Sequence, residues 1–145
     1  MLTRKYPSTI QYMAPECMRE NEVELAKGFD ASADVYSYSM IMWEVAHPGR
    51  IPYQGEHFET SDSVDITMAI RQAVLNGRRP RIENVPSLPP GYEDLMKRCW
   101  SKYPEDRPRF LADFFEEDTG FTKSSRSNQT IGSILRKMVW EMRTS

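Results

Sequence analysis

The sequence has few of the residues that build disulfide scaffolds or metal sites. Its 145 residues include 2 cysteines and 2 histidines. Small secreted domains use several disulfides, and structural zinc sites use sets of cysteine and histidine ligands. We therefore expect neither a disulfide framework nor a bound metal ion.

Long apolar runs and a large excess of one charge are also missing. The longest apolar stretch, residues 40–46, contains Glu44 and is far shorter than the ~20 residues that span a bilayer. With 19 Lys and Arg against 21 Asp and Glu, the net charge is -2, which gives no electrostatic case for nucleic-acid or acidic-membrane binding. Residues 1–7 have no apolar core of the kind found in a signal peptide. We expect a cytoplasmic protein without nucleic-acid or membrane partners.

What the composition does contain is typical of a soluble globular domain. Hydrophobic residues make up 39% and charged residues 28% of the chain, which disfavours disorder. The 7 glycines and 10 prolines are close to average usage, so collagen-like and low-complexity classes are excluded. A chain of this length can bury a core of its own.

The apolar spacing predicts a mainly α fold, because helical periodicity recurs and no convincing alternation of strand residues is present. The predicted helices, joined by proline-rich turns, cover about 14–20, 32–46, 64–75, 92–101 and 108–116. The helix at 32–46 has apolar residues all round, which predicts burial on every side. Asp30 or Ser32 is its candidate N-cap, Gly77 is the stop after the third helix, and Asp106 is the cap before the fifth.

The last thirty residues differ from the rest in composition. Residues 117–130 are polar and rich in Ser and Thr, which predicts a linker, and 131–145 form an amphipathic C-terminal helix. Such a helix needs a partner surface, either on its own domain or on another chain. Its apolar stripe consists of Ile131, Ile134, Leu135, Met138, Val139 and Met142.

A series of short motifs carries a family resemblance. Tyr12-Met-Ala-Pro-Glu16 resembles the Ala-Pro-Glu signature that closes the activation segment of protein kinases. The motifs that accompany it occur in that family's order: Ser8-Thr9-Ile-Gln-Tyr12, Asp34-Val-Tyr-Ser-Tyr-Ser-Met-Ile-Met-Trp-Glu44, Pro52-Tyr53, Gly77-Arg-Arg-Pro80, Cys99-Trp100 and Pro104-Glu-Asp-Arg-Pro108.

The resemblance implies the helical C-terminal lobe of a protein-kinase-like fold, incomplete and without the N-terminal β lobe. It covers about Thr9 to Phe115, and we interpret residues 1–116 as a partial kinase domain running from the end of the activation segment to the last helices of the lobe. Thr9 is typical of kinases that act on serine and threonine, whereas the helix and Cys-Trp motifs are similar to those of tyrosine kinases. The combination favours the tyrosine-kinase-like serine/threonine group, which acts in signalling.

The resemblance also assigns structural roles. The structural kinase motif comprises Ala14, Pro15, Glu16, Asp34 and Arg107. Glu16 and Arg107 correspond to a buried ion pair, and a planar guanidinium can hold a carboxylate through two hydrogen bonds. Asp34 corresponds to a helix-start aspartate that accepts N–H bonds from the catalytic loop; alternatively, it is a first-turn acid that suits the helix dipole.

Two further sets of residues follow from the same alignment of motifs. Thr9 and Tyr12 belong to the substrate-docking segment, and Ser8 stands where the family usually has glycine. Thr3, Tyr6 and Ser8 fall where activation-segment phosphorylation would occur. Trp43, Trp100 and both cysteines are expected in the core. His47 and His57 are expected to be solvated or to cap helices.

The catalytic motifs of the family do not occur in these 145 residues. Phosphoryl transfer needs a Gly-rich loop, a strand lysine, a His-Arg-Asp loop with Asn and an Asp-Phe-Gly motif, which together hold ATP and Mg²⁺. We therefore assign no catalytic, cofactor-binding or metal-binding residue. Three interpretations stay open: a truncated kinase whose partner is the missing half of the domain, a catalytically dead module that binds other proteins, and an unrelated helical adaptor.

Overall fold

The computed structural model describes residues 10–19, 31–58, 65–83, 85 and 88–109. Within these ranges the regular elements are all helical. Three α-helices, α1 (Ala31–Ala46), α2 (Ile66–Leu75) and α3 (Tyr92–Cys99), are accompanied by 3-10 helices at Ile10–Tyr12, Pro15–Met18 and Pro104–Asp106. The mainly helical class expected from the sequence is confirmed.

The core of the described residues is built around α1. Its buried side chains pack against α3 and against the 3-10 helix Ile10–Tyr12, while α2 packs on both N-terminal 3-10 helices. The largest fully buried side chains come from α1, α3 and the 3-10 helix Pro15–Met18, and they include Trp43, Tyr36, Met18, Met40, Leu95 and Met96. Burial of large apolar surfaces from distant segments is what holds these elements together.

The α1 helix is not buried all round, so that prediction is wrong for this structure. Ile41 is 51% exposed and Val45 is 65% exposed. Asp34, seven residues before Ile41, is also exposed. Positions 34, 38, 41 and 45 share one helical face. On this face Tyr38 packs partly against the core, whereas Ile41 and Val45 are exposed among the described residues.

Helix ends agree with the sequence in some places and differ in others. α1 begins at Ala31, so Ser32 lies inside the helix and is not its cap; Asp30 lies outside the described residues. At α2 the cap is Asp65, whose carboxylate accepts the N–H of Thr67 at 3.1 Å. The predicted stop at Gly77 is confirmed, since its φ of 94° is a left-handed conformation that glycine adopts without strain.

The remaining predicted helices are shorter than the sequence suggested or fall outside the description. The helix predicted at 14–20 is the four-residue 3-10 helix Pro15–Met18, and α3 ends two residues before the predicted limit of 101. Asp106 is the last residue of the 3-10 helix Pro104–Asp106, and the helix that it was predicted to cap lies almost wholly outside the described residues, so its role as a cap stays a prediction. Most of 108–116, and all of 117–130 and 131–145, lie outside the described residues.

Candidate functional site

The segment 10–19 carries the Met-Ala-Pro-Glu motif as two short 3-10 helices. The Met13 N–H donates to the Ile10 carbonyl at 3.2 Å, and the Cys17 N–H donates to the Ala14 carbonyl at 3.0 Å. Pro15 opens the second of these helices, where its missing N–H costs no hydrogen bond. Ile10, Ala14 and Met18 are buried, so every fourth residue of the segment packs into the core.

Glu16 is joined to Arg107 by two parallel hydrogen bonds across 91 positions of sequence. Arg107 Nη1 donates to Glu16 Oε1 at 2.6 Å, and Nη2 donates to Oε2 at 2.8 Å. The Arg107 side chain is 0% exposed and the Glu16 side chain 15% exposed. The ion pair expected from the resemblance is therefore present, and it is shielded from water; its functional role stays a prediction.

The same guanidinium binds three backbone carbonyls besides the carboxylate. Nε donates to Ser101 O at 2.9 Å, Nη1 to Ser32 O at 3.0 Å and Nη2 to Lys102 O at 3.5 Å. Because a guanidinium offers five N–H donors in a fixed plane, one side chain can hold several backbone segments. Arg107 thus ties the 10–19 segment to the start of α1 and to the turn after α3.

Tyr36 connects this ion pair to the rest of the core. Its ring centroid lies 5.2 Å from the Arg107 guanidinium carbon and 5.1 Å from that of Arg79. Burial raises the pKa of the Tyr36 phenol, so the ring stays neutral between two cations. Arg79 in turn donates to the Trp100 carbonyl at 2.8 Å, which fixes the end of α3.

Tyr12 is held against α1 at both ends of the residue. Its hydroxyl donates to the Glu44 carboxylate, and its carbonyl accepts from Ser37 Oγ at 2.8 Å. Loss of solvation, reinforced by the hydrogen bond to Glu44 and its charge, raises the pKa of Tyr12 to about 12. The phenol is therefore a permanent donor at neutral pH, and it holds Tyr12 to the last turn of α1.

A surface cavity of about 310 Å³ lies between this segment and the first turns of α1. Among the described residues that line it, Asp34 is the one with a charge, and it is exposed. Its position fits either interpretation of Asp34, an acceptor for a neighbouring segment or a first-turn acid. The lining residues are Tyr12, Met13, Ala14, Cys17, Ala33, Asp34 and Ser37.

Several predicted positions cannot be placed. Thr9 of the docking segment and the candidate phosphorylation sites Thr3, Tyr6 and Ser8 lie outside the described residues. Their roles stay predictions. The structure brings Ala14, Pro15, Glu16 and Arg107 together, and it sets Tyr12 and Asp34 on the neighbouring cavity.

The structure decides between the two expectations for His47 and corrects one for Cys17. His47 is not solvated but caps the end of α1: it is 5% exposed, its Nδ1 lies 2.8 Å from the Trp43 carbonyl, and its Nε2 accepts the Glu83 N–H at 3.1 Å. Cys17 is only partly buried and lines the cavity, whereas Trp43, Trp100 and Cys99 are in the core as expected.

The sequence did not point to the contacts of Arg79 and Glu44. The Gly77-Arg-Arg-Pro80 motif was a signal for Arg79, but only the fold shows that its guanidinium reaches Tyr36 and the end of α3. The Glu44 carboxylate was a signal too, because a charge within an apolar run needs a partner. The partner is Tyr12, thirty-two positions away.

Comparison with known proteins supplies the family. The family model for "Protein tyrosine and serine/threonine kinase" matches residues 2–113, more than half of the chain. The chain belongs to the protein kinase family. Membership excludes the unrelated helical adaptor.

Individual kinases show the same relationship. The chain is similar to the rat receptor-interacting serine/threonine-protein kinase 3, with 35% identity over 115 residues, 74% of this chain and 21% of the rat protein. It is 30% identical over 132 residues to the human tyrosine-protein kinase ABL2, covering 91% of this chain and 10% of ABL2. A third relative, the human tyrosine-protein kinase FRK, is 26% identical over 122 residues. The chain thus spans about a fifth or less of the length of these kinases.

The described residues contain neither a cluster of metal ligands nor a membrane-spanning helix. No group of three or more His, Cys, Asp or Glu side chains in 10–19, 31–58, 65–83, 85 and 88–109 could hold a metal ion. Over the same residues, no helix is both long and apolar enough to cross a bilayer.

Proposed function

We propose that this chain supplies the substrate-docking half of a kinase lobe, and that the complete domain transfers the γ-phosphate of ATP to serine or threonine in proteins. The observation that carries the proposal is the Glu16–Arg107 pair, 2.6 and 2.8 Å, shielded from water. It anchors the segment that the family resemblance assigns to docking. Anchoring matters because phosphoryl transfer depends mainly on positioning of the reacting groups.

The described residues do not fit ATP and Mg²⁺. The cavity beside the docking segment carries one carboxylate, Asp34, and no cationic side chain that could bind phosphates. The 145 residues hold no Gly-rich phosphate loop and none of the metal-binding motifs of the family. We therefore expect the chain of this sequence, by itself, to be inactive, and its partner to be the half of a kinase domain that carries those motifs.

Serine/threonine specificity rests on sequence. Thr9 occupies the docking segment in the form typical of serine/threonine kinases, and the rat relative at 35% identity is named as one. The family model itself covers both specificities. The choice between them is therefore tested separately from the kinase assignment.

The direct test of inactivity uses the chain of the printed sequence. Thermal unfolding is recorded with and without ATP and Mg²⁺, and phosphate transfer to a mixed peptide library is measured in parallel. A ligand that binds only the folded state raises the melting temperature in proportion to its affinity. We expect no shift and no transfer; a saturable upward shift would contradict the proposal.

Docking is tested by transplantation. Residues 2–113 replace the matching segment of the human ABL2 kinase domain, a relative that shares 30% identity over 132 residues with this chain. We expect phosphate transfer by this chimaera, with phosphoserine or phosphothreonine as the product. Transfer to tyrosine alone would refute the serine/threonine assignment, and a folded but inactive chimaera would refute the docking role. The matched control carries Glu16→Gln, which should lower transfer by loosening the docking segment.

The open face of α1 supports a second candidate, a catalytically dead module that binds other proteins. Exposed apolar residues such as Ile41 and Val45 are suited to protein partners. The two candidates differ in the behaviour of the isolated chain. A soluble monomer with one cooperative thermal transition favours the module, whereas aggregation of the chain favours a lobe that needs its other half.

A further inference from the structure

A histidine at the end of α1 is buried and in contact at both of its ring nitrogens. His47 is 5% exposed, and its ring stacks on the Trp43 indole with the ring centroids 4.1 Å apart. Its Nδ1 lies 2.8 Å from the Trp43 carbonyl oxygen, and its Nε2 lies 3.1 Å from the backbone nitrogen of Glu83. A backbone N–H can only donate, so Nε2 accepts with its lone pair and the ring proton is on Nδ1.

The bond from Glu83 is one of two that hold the connection between α2 and α3 on the end of α1. The other runs from the indole N–H of Trp43 to the carbonyl oxygen of Arg81 at 2.9 Å. Trp43 and His47 lie one helical turn apart, so together they bind the two ends of the segment 81–83. The indole bond does not depend on pH, whereas the histidine bond depends on the protonation of the ring.

A second proton on the His47 ring would remove the acceptor of this bond. In the imidazolium form both ring nitrogens are donors, so the Nε2–H would point at the N–H of Glu83. Two facing donors form no hydrogen bond, and a buried ring has little water with which to replace the bond that is lost. The contact therefore requires an uncharged ring.

The charged groups around this contact offer the ring no unpaired carboxylate. Arg50 binds the Glu83 carboxylate through two hydrogen bonds, and Arg81 adds a second positive charge near the same carboxylate. The hydrogen bond from Arg50 lowers the pKa of Glu83, so this carboxylate stays ionised and paired above about pH 5. On α1 itself, the carboxylate of Glu44, three positions before His47, accepts a tyrosine hydroxyl.

We propose that acidification releases the segment 81–83 from the end of α1 through protonation of His47. A proton from solvent binds Nε2, the hydrogen bond from the Glu83 N–H breaks, and both groups turn to water. Arg50, Arg81 and Glu83 keep their charges between about pH 7.5 and pH 5.5, so the ring is the group of this contact that titrates. This response to pH does not depend on the kinase activity of the complete domain.

Proton linkage gives the expected size of the effect. A histidine in water binds its second ring proton near pH 6.5, at about the midpoint of this range, and the closed contact excludes that proton. Protonation therefore favours the open state by a factor that rises from about 1.1 at pH 7.5 to about 11 at pH 5.5. We expect the population with an open contact to increase about tenfold over these two pH units.

Hydrogen exchange of the Glu83 amide tests the proposal in the full 145-residue chain. Its protection factor, the ratio of the intrinsic to the observed exchange rate, measures how rarely the N–H is open, and it is recorded at several pH values between 7.5 and 5.5. In the native chain we expect this protection factor to fall about tenfold. In His47→Gln it should stay constant, because the amide oxygen of glutamine can accept the same N–H and does not titrate.

Two controls separate local release from other effects of pH. His57→Gln removes the second histidine of the chain, which is exposed, and should keep the tenfold fall. The Trp100 amide, bonded to the Met96 carbonyl at 3.1 Å, reports opening elsewhere in the core and should keep its protection.

Each result bears on the proposal. A fall at the Glu83 amide in the native chain and in His57→Gln, absent from His47→Gln, supports it. A constant protection factor in the native chain, or an equal fall in His47→Gln, overturns it. An equal fall at the Trp100 amide overturns release confined to the segment 81–83, and a Glu83 amide without protection at pH 7.5 overturns the contact itself.

Discussion

The two sides of α1 are chemically similar and structurally different. On the inner side Tyr36, Met40 and Trp43 are almost completely buried, and the indole N–H of Trp43 donates to the Arg81 carbonyl at 2.9 Å. On the outer side Ile41 and Val45 are more than half exposed. Hydrophobicity along the helix does not separate the two sides, because both carry large apolar side chains.

The difference between the sides lies in their partners. The inner side meets α3, the 3-10 helix Ile10–Tyr12 and the turn that bears Arg107, and all of these supply shape and hydrogen bonds. On the outer side Tyr38 packs partly against the core, but Ile41 and Val45 are exposed among the described residues. An apolar pattern thus indicates which surfaces would be stabilised by burial. Only the tertiary structure shows which of them are buried.

The largest expected effect concerns the ion pair on the inner side. Arg107→Ala leaves the Glu16 carboxylate without its cation and three carbonyls without their donor. Removal of one partner from a buried pair costs about 3–5 kcal/mol, so we expect the free energy of unfolding to fall by that amount. Urea denaturation of the 145-residue chain, followed by tryptophan fluorescence, measures the change.

A surface pair of the same chemistry is the control. Arg50 also holds a carboxylate, that of Glu83, but both side chains are exposed, 41% and 54%. Solvent screening makes such pairs weak, so Arg50→Ala should leave the denaturation midpoint almost unchanged. Similar losses from Arg107→Ala and Arg50→Ala would show that burial is not what gives the Glu16 pair its strength.

The second prediction compares neighbouring residues on opposite sides of α1. Met40 is 0% exposed, and Met40→Ala should cost about 2–5 kcal/mol through lost burial and the cavity that remains. Ile41→Ala, one residue away and on the open face, should cost well under 1 kcal/mol. Both variants are measured by the same urea denaturation in the full 145-residue chain.

The ratio of the two losses carries the information. A large loss for Ile41→Ala would mean that this side chain, 51% exposed in the structure, is covered in solution. Equal small losses would mean that the packing of the inner side is loose. Helix propensity hardly differs between the two replacements, because both end in alanine.

Local features of the fold could be predicted because their causes are local. The glycine at 77 ends α2 through its own backbone freedom, and the stripe of α3 follows from residue spacing. The Glu16–Arg107 pair was different: its two members lie 91 positions apart, and only the family resemblance suggested that they meet.

The features that could not be predicted depend on which distant residues pack against a given side chain. Ile41 is exposed while Met40, its neighbour in an equally apolar run, is buried, and no property of the helix sequence indicates this difference. His47 is buried because Glu83 approaches from a loop 36 positions later and donates its N–H to the ring. Both outcomes are set by tertiary contacts, which periodicity does not encode.

The smallest effect is a dependence of stability on alkaline pH that belongs to the inner side. Burial raises the pKa of the Cys99 thiol to about 12 from 9.0. Above about pH 9 the unfolded chain therefore loses this proton while the folded chain keeps it, so the unfolded state binds fewer protons and stability falls as pH rises. Between about pH 8 and pH 10 we expect the free energy of unfolding of the native chain to fall by about 1 kcal/mol more than that of Cys99→Ala.

Cys17→Ala, which alters the partly buried thiol at the cavity, should retain the full dependence of stability on pH. Identical slopes for the native chain and Cys99→Ala would mean that water reaches this part of the core, and the contrast between the two sides of α1 would then be smaller than the structure indicates.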